Sequence, residues 1–319
     1  MLRSAEGYVS GQQICDRLKV SRTAVWKVIE QLKSEGYDIE AVHGKGYHLA
    51  EVPDVISQAE IESLLQTKWA GCSVFYYPVI DSTNMKAKRL ETEGVPHGTL
   101  VVGGHQSAGK GRRGRVWESP EGTGIYMTLL LRPELKPEWA PMLTILMAQS
   151  VADAIHEVTG LTAKIKWPND IVIKGRKVCG ILTEMNTEIT WIHYVIIGVG
   201  INVHQTSFPE ELQDKAISLD MAGAKSVRRA ELVAEVIKQF EKYYEQFVKD
   251  GDLSAIQEKY NAMLVNRDRE VCVLEPGHEY RAHAIGINKN GELMVRRENG
   301  KIEAVYAGEV SVRGIYGYV

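Results

Sequence analysis

The 319-residue chain has few cysteines, no long apolar run and almost no excess of charge. Its four cysteines, Cys15, Cys72, Cys179 and Cys272, lie far apart and form no CxxC pair, so they predict neither a zinc ribbon nor a redox site. No apolar stretch approaches the ~20 residues of a membrane-spanning helix, and the polar first residues do not resemble a signal peptide. We therefore expect a cytoplasmic protein with reduced thiols, no structural metal and no membrane partner.

The charge balance limits how the protein could meet a nucleic acid. The 38 Lys and Arg residues nearly cancel the 41 Asp and Glu residues, giving a net charge of −3. Any contact with DNA must therefore come from a local basic patch and not from the whole surface. At this length and with 44% hydrophobic residues, we expect two or three well-packed globular domains.

Residues 1–52 are predicted to be a winged helix-turn-helix domain. Ser10 and Gln13 have the spacing of a capping box for a first short helix, and Ser21 is a good N-cap for a second. A hairpin is expected at 39–49, since glycines mark a turn inside an alternating run. Helix, turn, helix and hairpin follow in the order of that domain. One buried stripe is predicted in the second helix, formed by Val25, Val28, Ile29 and Leu32.

Basic residues are concentrated at the predicted helix-turn-helix. The stretch from residue 17 to residue 29 has no acidic residue and contains Arg17, Lys19, Arg22 and Lys27. Phosphate and base contacts occur at this place in helix-turn-helix domains. The candidates for contact with DNA are Arg22, Thr23 and Lys27 on the second helix and Lys45 on the wing. The alternative is a winged helix that contacts only proteins.

The rest of the chain is predicted to contain two further domains, so that the whole is of the α+β class. Residues 53–267 have four helical stretches, at 58–65, 82–93, 141–158 and 229–249, among many strand signals. Several strands follow one another with no helix between them, which predicts a mainly antiparallel or mixed sheet. Residues 268–319 alternate short strands with strong turn signals, which predicts a small SH3-like β-barrel.

The most distinctive stretch is a basic, glycine-rich loop. Four cations and three glycines occupy the seven positions 109–115. Glycine lets a backbone approach an anion closely, and arginine offers a fork that matches phosphate oxygens. Gly104, Gly109 and Lys110 nearly match the spacing of a P-loop, but Gly111 stands where a Ser or Thr is needed for Mg²⁺. The loop is therefore either a phosphate-binding loop of another kind or simply a solvated basic loop.

Together with its neighbouring motifs, this loop resembles the adenylate-binding loop of the biotin protein ligase family, whose usual form is GRGRxGR. Lys110 replaces the family's first arginine, which keeps the charge and loses the bidentate fork. The segments DSTN at 81–84, KWPND at 166–170, KxCGIL at 177–182 and GVGIN at 198–202 are similar to further family motifs in the same order. The helix-turn-helix is similar to that of the bifunctional members, which are ligase and repressor in one chain.

The resemblance implies a function and a set of partners. Biotin would be activated by ATP with Mg²⁺ to biotinyl-5′-AMP and transferred to a lysine of a biotin carboxyl carrier protein, of acetyl-CoA or pyruvate carboxylase. The N-terminal domain would bind operator DNA and repress biotin genes, and the adenylate-bound form would be a homodimer. Two alternatives stay open, namely a repressor that senses biotinyl-adenylate without catalysis and a lipoate-type acyl ligase. The 109–115 loop and the 166–170 motif favour biotin over lipoate.

The resemblance also implies roles for individual residues. Lys166 and Arg112 would be the catalytic cations. The biotin-binding residues would be Ser82, Thr83, Gln106, Gly109, Lys110, Arg112, Lys166, Gly198 and Gly200. The ATP-binding residues would be Arg112, Arg115, Trp117, Lys166, Lys177 and Asn202. Trp117 would stack on adenine, Gly198 and Gly200 would leave room for the valeryl chain, and Asn202 is also the candidate Mg²⁺ ligand.

Overall fold

The computed structural model describes residues 1–2, 5, 7–34, 36–51, 53–275, 278–306 and 311–314. The chain divides into two compact units, Met1–Ile56 and Ser57–Val319. The first unit coincides closely with the predicted N-terminal domain. The further boundary predicted at residue 267 stays a prediction, and the end of the predicted barrel, at 315–319, lies outside the described residues.

The N-terminal unit is a helix-turn-helix followed by a hairpin. Its elements are α1 (Gly11–Leu18), α2 (Arg22–Ser34) and the antiparallel strands β1 (Asp38–Val42) and β2 (Gly46–Glu51). The Ser10–Gln13 capping box is present at the start of α1. At α2 the Ser21 hydroxyl accepts a hydrogen bond from the Ala24 N–H at 3.2 Å, so it caps the helix as predicted. The predicted order of elements is therefore confirmed.

One residue of the predicted stripe on α2 is placed wrongly. Val25 and Ile29 are buried in the small core of the unit, but the Val28 side chain is 54% exposed. Each residue turns the helix by about 100°, so Val28 lies about 100° from Ile29, at the flank of the helix. Only a narrow strip of α2 contacts α1 and the hairpin. The core itself consists of Val9, Ile14, Cys15, Val25, Ile29 and Ile39.

The larger unit contains a seven-stranded sheet. Its strands are β3 (Val74–Ile80), β4 (Thr99–Gln106), β5 (Gly124–Leu131), β6 (Lys164–Lys166), β7 (Asp170–Ile173), β8 (Arg176–Thr187) and β9 (Ile192–Asn202). The order across the sheet is β3-β4-β5-β9-β8-β7-β6. The β3–β4 pair is parallel and the other pairs are antiparallel, which confirms the predicted mixed sheet.

The larger unit also contains α-helices. They are α3 (Gln58–Leu64), α4 (Thr83–Thr92), α5 (Ala140–Thr159), α6 (Leu219–Ala222), α7 (Arg229–Asp250) and α8 (Ser254–Met263). The four predicted helices correspond to α3, α4, α5 and α7, while α6 and α8 were not predicted. The apolar α5 packs between α7 and the strands β6 to β9. Among the described residues no helix is long and apolar enough to cross a membrane.

A second, antiparallel sheet follows. It consists of β10 (Arg269–Glu275), β11 (His278–Ile287), β12 (Leu293–Arg296), β13 (Ile302–Val305) and β14 (Ser311–Gly314), in the order β13-β12-β11-β10-β14. Gly291 (φ 77°) and Gly300 (φ 80°) have the left-handed backbone that the predicted turns require. The all-β character is confirmed, and closure into a barrel stays a prediction.

Candidate active site

The turn from β3 into α4 brings three of the predicted biotin-binding residues together. Ser82 and Thr83 are buried there, and the Thr83 N–H donates to Oε1 of Gln106 at 2.9 Å. The Gln106 amide in turn donates to the Ser119 hydroxyl at 2.9 Å. Ser82 stands at the N-cap of α4, yet its hydroxyl makes no capping hydrogen bond. The position of Ser82 is therefore not explained by helix capping. Together Ser82, Thr83 and Gln106 have the hydrogen-bond donors and acceptors that the ureido ring of biotin would need.

An exposed ion pair fixes the same turn from the other side. The Asp81 carboxylate accepts two hydrogen bonds from the Arg89 guanidinium, at 2.7 and 2.8 Å, and one from the Ser82 N–H at 2.7 Å. The Arg89 hydrogen bonds lower the pKa of Asp81 to about 2. The Asp81 carbonyl accepts from the Ala108 N–H at 2.9 Å. This ties the turn to the start of the glycine-rich loop.

A second polar group, not predicted from the sequence, lies next to the turn. Asn84 donates to the Glu184 carboxylate at 2.8 Å, and its carbonyl oxygen accepts from the Thr128 hydroxyl at 2.7 Å. Lys88 donates to the other Glu184 oxygen at 2.7 Å. Burial works to raise the pKa of Glu184, but the hydrogen bonds from Lys88 and Asn84 outweigh it and lower that pKa. The motif at 81–84 pointed to Asn84, whereas nothing in the sequence pointed to Thr128 or Glu184.

The glycines of β9 do not leave the space that the sequence suggested. A Cβ at Gly198 would collide with the Asn84 side chain, and one at Gly200 would collide with the Trp117 ring. Gly180, the partner of Gly200 across the β8–β9 pair, also lies under Trp117, with 2.9 Å from its ideal Cβ to the ring. The prediction of open room for a valeryl chain is corrected, because these positions hold Asn84 and Trp117. Contact of either glycine with biotin stays a prediction.

Trp117 lies at the centre of the site. Its backbone N–H donates to the Gly109 carbonyl at 3.0 Å, and the Lys177 ammonium lies 5.3 Å from the centroid of its ring. Its buried indole Nε1 has no hydrogen-bond partner within the described part of the chain. A chain of hydrogen bonds from Gln106 through Ser119 to the Trp117 carbonyl joins the backbone of Trp117 to the β3–α4 turn. Trp117 therefore separates a neutral polar region from a cationic one.

The basic loop is open to solvent for much of its length. Arg113 (φ 57°) and Gly114 (φ 71°) have left-handed backbone, and the Gly111 N–H closes a turn onto the Arg115 carbonyl at 2.7 Å. The Arg115 side chain is exposed. Lys110 is also exposed, and its ammonium lies 3.9 Å from the Met85 sulfur. The loop thus presents Lys110, Arg113 and Arg115 to solvent.

Arg112 is the member of the loop that reaches the sheet. Its guanidinium donates to the Asn169 side chain at 2.9 Å, and burial lowers its pKa. Asp170, the next residue, accepts an ion pair from Lys177 at 2.6 Å and stands opposite Lys166 in the β6–β7 register. Arg112, Lys166 and Lys177 are therefore gathered around one carboxylate. Three cations against one acid leave an excess of positive charge, as phosphate binding requires.

Buried contacts hold the 166–170 segment in place. Lys166 is 6% exposed and Trp167 is 2% exposed. The Trp167 N–H donates to the Asn266 side chain at 2.9 Å, and its indole N–H donates to the Gly291 carbonyl at 3.0 Å. Both partners lie far along the chain, so no local sequence pattern indicated them. The catalytic candidate Lys166 therefore directly precedes a buried residue that two hydrogen bonds hold in place.

Asn202, the candidate Mg²⁺ ligand, makes hydrogen bonds within the chain. Asn202 is buried, donates to the Ile217 carbonyl at 3.2 Å and accepts from Gln205 at 3.4 Å. Among the described residues, no three His, Cys, Asp or Glu side chains lie close enough together to hold a metal ion. Magnesium demands near-octahedral oxygen ligands and is commonly bound through substrate phosphates. The part of Mg²⁺ therefore stays a prediction.

The DNA-binding candidates lie on the exposed surface of the N-terminal unit. Arg22, Thr23, Lys27 and Lys45 are all exposed. Arg22 donates to Gln12 on α1 at 2.9 Å, and the Lys45 ammonium lies 5.7 Å from the Tyr8 ring centroid. Trp26, which was not among the predicted contacts, is 55% exposed on the same helix.

Three family models match the chain. The biotin/lipoate A/B protein ligase family matches residues 76–202, an HTH domain matches residues 1–48, and the biotin protein ligase C-terminal domain matches residues 268–313. The bifunctional ligase/repressor BirA of Bacillus subtilis is 41% identical over 309 residues, which are 96% of this chain and 94% of that protein. The chain belongs to the bifunctional biotin ligase/repressor family.

Two further biotin ligases are similar to this chain. The bifunctional ligase/repressor BirA of Escherichia coli is 31% identical over 305 residues, covering 95% of this chain and 92% of that protein. The biotin protein ligase from Aquifex aeolicus in complex with biotin and ATP has a TM-score of 0.66 at 29% identity, and 76% of this chain matches 99% of that one. The family and fold predicted from the sequence are confirmed, and the individual site residues stay predictions.

Proposed function

We propose that this protein activates biotin with ATP, transfers it to a lysine of a biotin carboxyl carrier protein, and represses biotin genes through its N-terminal unit. The observation that carries the proposal is the pair of regions on either side of Trp117. On one side Ser82, Thr83 and Gln106 offer neutral donors and acceptors for a ureido ring. On the other side the cation group of Arg112, Lys166 and Lys177 offers charge for phosphates.

In the first step a biotin carboxylate oxygen attacks the α-phosphorus of ATP. The new bond is a mixed anhydride, and the bond to the β-phosphate oxygen breaks and releases pyrophosphate. Both reactants are anions, so the barrier falls when fixed cations stand where they meet. Lys166 suits this position because it is buried and its strand is held by Trp167. Arg112, Arg115 and Lys177 would neutralise the remaining phosphate oxygens, each contributing roughly 1.5–3 kcal/mol.

Magnesium enters this scheme as part of the nucleotide substrate. Bound to the phosphates of ATP, it would spread the charge of the leaving pyrophosphate. Asn202 is then a contact for the ribose or for this ion, and Trp117 is the stacking surface for adenine. The exposed Lys110 would bring charge to the biotin side, without the bidentate fork of an arginine.

In the second step the neutral amine of a carrier lysine attacks the activated carbonyl, and AMP leaves. Water must stay out before the carrier arrives, because the anhydride hydrolyses. The exposed 109–115 loop is suited to close over the adenylate, with the Arg112–Asn169 hydrogen bond as its tie to the sheet. The carrier would belong to acetyl-CoA or pyruvate carboxylase, and the reaction would take place in the cytoplasm.

The N-terminal unit would bind operator DNA through α2 and the wing. We propose that the adenylate-bound form is a homodimer that contacts two half-sites with Arg22, Thr23, Lys27 and Lys45. Sedimentation with and without biotinyl-adenylate tests the dimer. A monomer at micromolar protein with saturating adenylate would contradict this part of the proposal.

Biotin-dependent exchange of pyrophosphate with ATP tests the central claim. We expect exchange with biotin and Mg²⁺ and none with lipoate, followed by labelling of a purified carrier domain. Exchange with lipoate alone would favour a lipoate ligase. Tight binding of biotinyl-adenylate without exchange or carrier labelling would favour a sensor that does not catalyse.

A further inference from the structure

An aromatic side chain stands among the cations of α2. Trp26 is 55% exposed, whereas its neighbours Val25 and Ile29 are buried in the core. Residues three and four apart share a helix face, so Trp26 lies beside Thr23 and Arg22. Lys27 follows it directly and is also exposed. Trp26 is therefore the largest exposed apolar side chain of α2, and it lies next to exposed polar and basic side chains.

The charge around Trp26 indicates the partner. No acidic residue occurs from Arg17 to Ile29, and the first acid on α2, Glu30, comes one turn after Trp26. The first two turns of α2 are thus basic and contain no acid, whereas the last turns contain both Glu30 and Lys33. In helix-turn-helix domains these turns of the second helix meet base edges in the major groove. A basic surface that carries an exposed aromatic ring is complementary to an anionic partner that has an apolar group.

The major groove of DNA has one apolar group, the C5 methyl of thymine. We propose that Trp26 packs against a thymine methyl in each half-site and so determines part of the sequence specificity of this protein. The inference rests on the proposed DNA-binding function and adds a base-reading residue to it. Arg22 is held toward α1 by Gln12, and Lys27 supplies charge for a phosphate, so these two residues position the helix while Trp26 reads the methyl.

Replacing thymine by deoxyuridine removes only the methyl group and gives a direct test. A duplex is first selected from a random-sequence library with the full-length wild-type protein, biotin, ATP and Mg²⁺. Each thymine is then changed to deoxyuridine in turn, and affinities are measured for the wild type, Trp26→Ala, Trp26→Phe and Lys27→Ala. For the wild type we expect one position per half-site to lose roughly fourfold in affinity per methyl. The Trp26→Ala variant should bind the thymine duplex and the corresponding deoxyuridine duplex with equal affinity.

The variants distinguish recognition of the thymine methyl from electrostatic binding to phosphates. Trp26→Ala should keep the salt dependence of the wild type, while Lys27→Ala should lower the salt slope by about 1 and keep the sensitivity to the methyl. Trp26→Phe should retain part of that sensitivity. Because Trp26 is outside the core, the helical circular dichroism of its variants should match that of the wild type.

Two results would overturn the assignment. A wild type that ignores every deoxyuridine substitution, or a Trp26→Ala variant that keeps the same sensitivity, shows that Trp26 reads no methyl, even though DNA binding stands. Failure of the wild type to enrich any duplex contradicts DNA binding itself, and the role of Trp26 with it.

Discussion

The 109–115 loop and the 166–170 segment supply cations to the same site, yet they are built in opposite ways. The loop is largely exposed, and left-handed backbone at Arg113 and Gly114 shapes it. In the segment Lys166 and Trp167 are buried, and Trp167 makes two hydrogen bonds to distant parts of the chain. A fixed cation can stabilise a developing charge without reorganisation, whereas a movable one can admit and then enclose a substrate. The difference predicts separate kinetic roles for the two regions.

Trp167→Ala should remove the contacts that hold the 166–170 segment and lower the free energy of unfolding. It removes a fully buried ring and the hydrogen bond to Gly291, and large-to-small changes of this kind cost about 3–5 kcal/mol. Urea unfolding measures the loss. Trp191→Ala, at a tryptophan that is 49% exposed, is the matched control and should change stability by about 0.5 kcal/mol or less. Equal losses in the two variants would show that the segment is not specially held.

Lys166→Ala should abolish most of the adenylation. Loss of one fixed group that stabilises transition-state charge costs about 10²–10³ in kcat. Pyrophosphate exchange measures it, and Lys164→Ala is the control because Lys164 is an exposed lysine on the same strand. Exchange by Lys166→Ala within a factor of three of the wild type would remove Lys166 from the chemistry.

Arg112→Gly should still form adenylate, more slowly because one phosphate-binding cation is lost, and should fail to retain it. The variant lacks the Arg112–Asn169 hydrogen bond, and one charge-assisted bond corresponds to roughly 10- to 100-fold in the release rate. Release of radiolabelled biotinyl-adenylate on filters measures it. Arg113→Gly removes the neighbouring cation at a position whose φ of 57° suits glycine, and should release adenylate at nearly the wild-type rate. Tight retention by Arg112→Gly would contradict closure of the loop.

The smallest effect concerns the Asp81–Arg89 ion pair, which holds the β3–α4 turn by an exposed contact and not by burial. The pKa of Asp81 in the folded state is about 2, below its value in the unfolded chain. The ion pair therefore stabilises the fold above the unfolded pKa, and this stabilisation is lost as the pH falls through the folded pKa. Because both side chains are more than 40% exposed, we expect roughly 0.5 kcal/mol. The unfolding free energies of the wild type and Asp81→Asn should converge between pH 5 and pH 2. A constant difference would mean that Asp81 does not titrate with the fold.

Local sequence signals predicted most of the fold. The Ser10–Gln13 box, the long apolar α5 and the glycines at 291 and 300 each specify their structure within a few residues. The motifs at 109–115 and 166–170 likewise indicated where the cations are. What the sequence could not show depends on distant partners: Glu184 beside Asn84, and Asn266 and Gly291 around Trp167, which are 99 and 124 residues away from it. Val28 was misplaced because periodicity does not reveal how wide the covering core is.

The hydrogen bond between Trp167 and the Gly291 carbonyl has a practical consequence for anyone who wants a smaller tool for labelling proteins. Trimming can begin at the N-terminal end, since Met1–Ile56 is a compact unit of its own. Trimming from the other end would remove the acceptor that holds the indole beside Lys166. A shortened enzyme should therefore keep its second sheet and dispense with its first fifty-six residues.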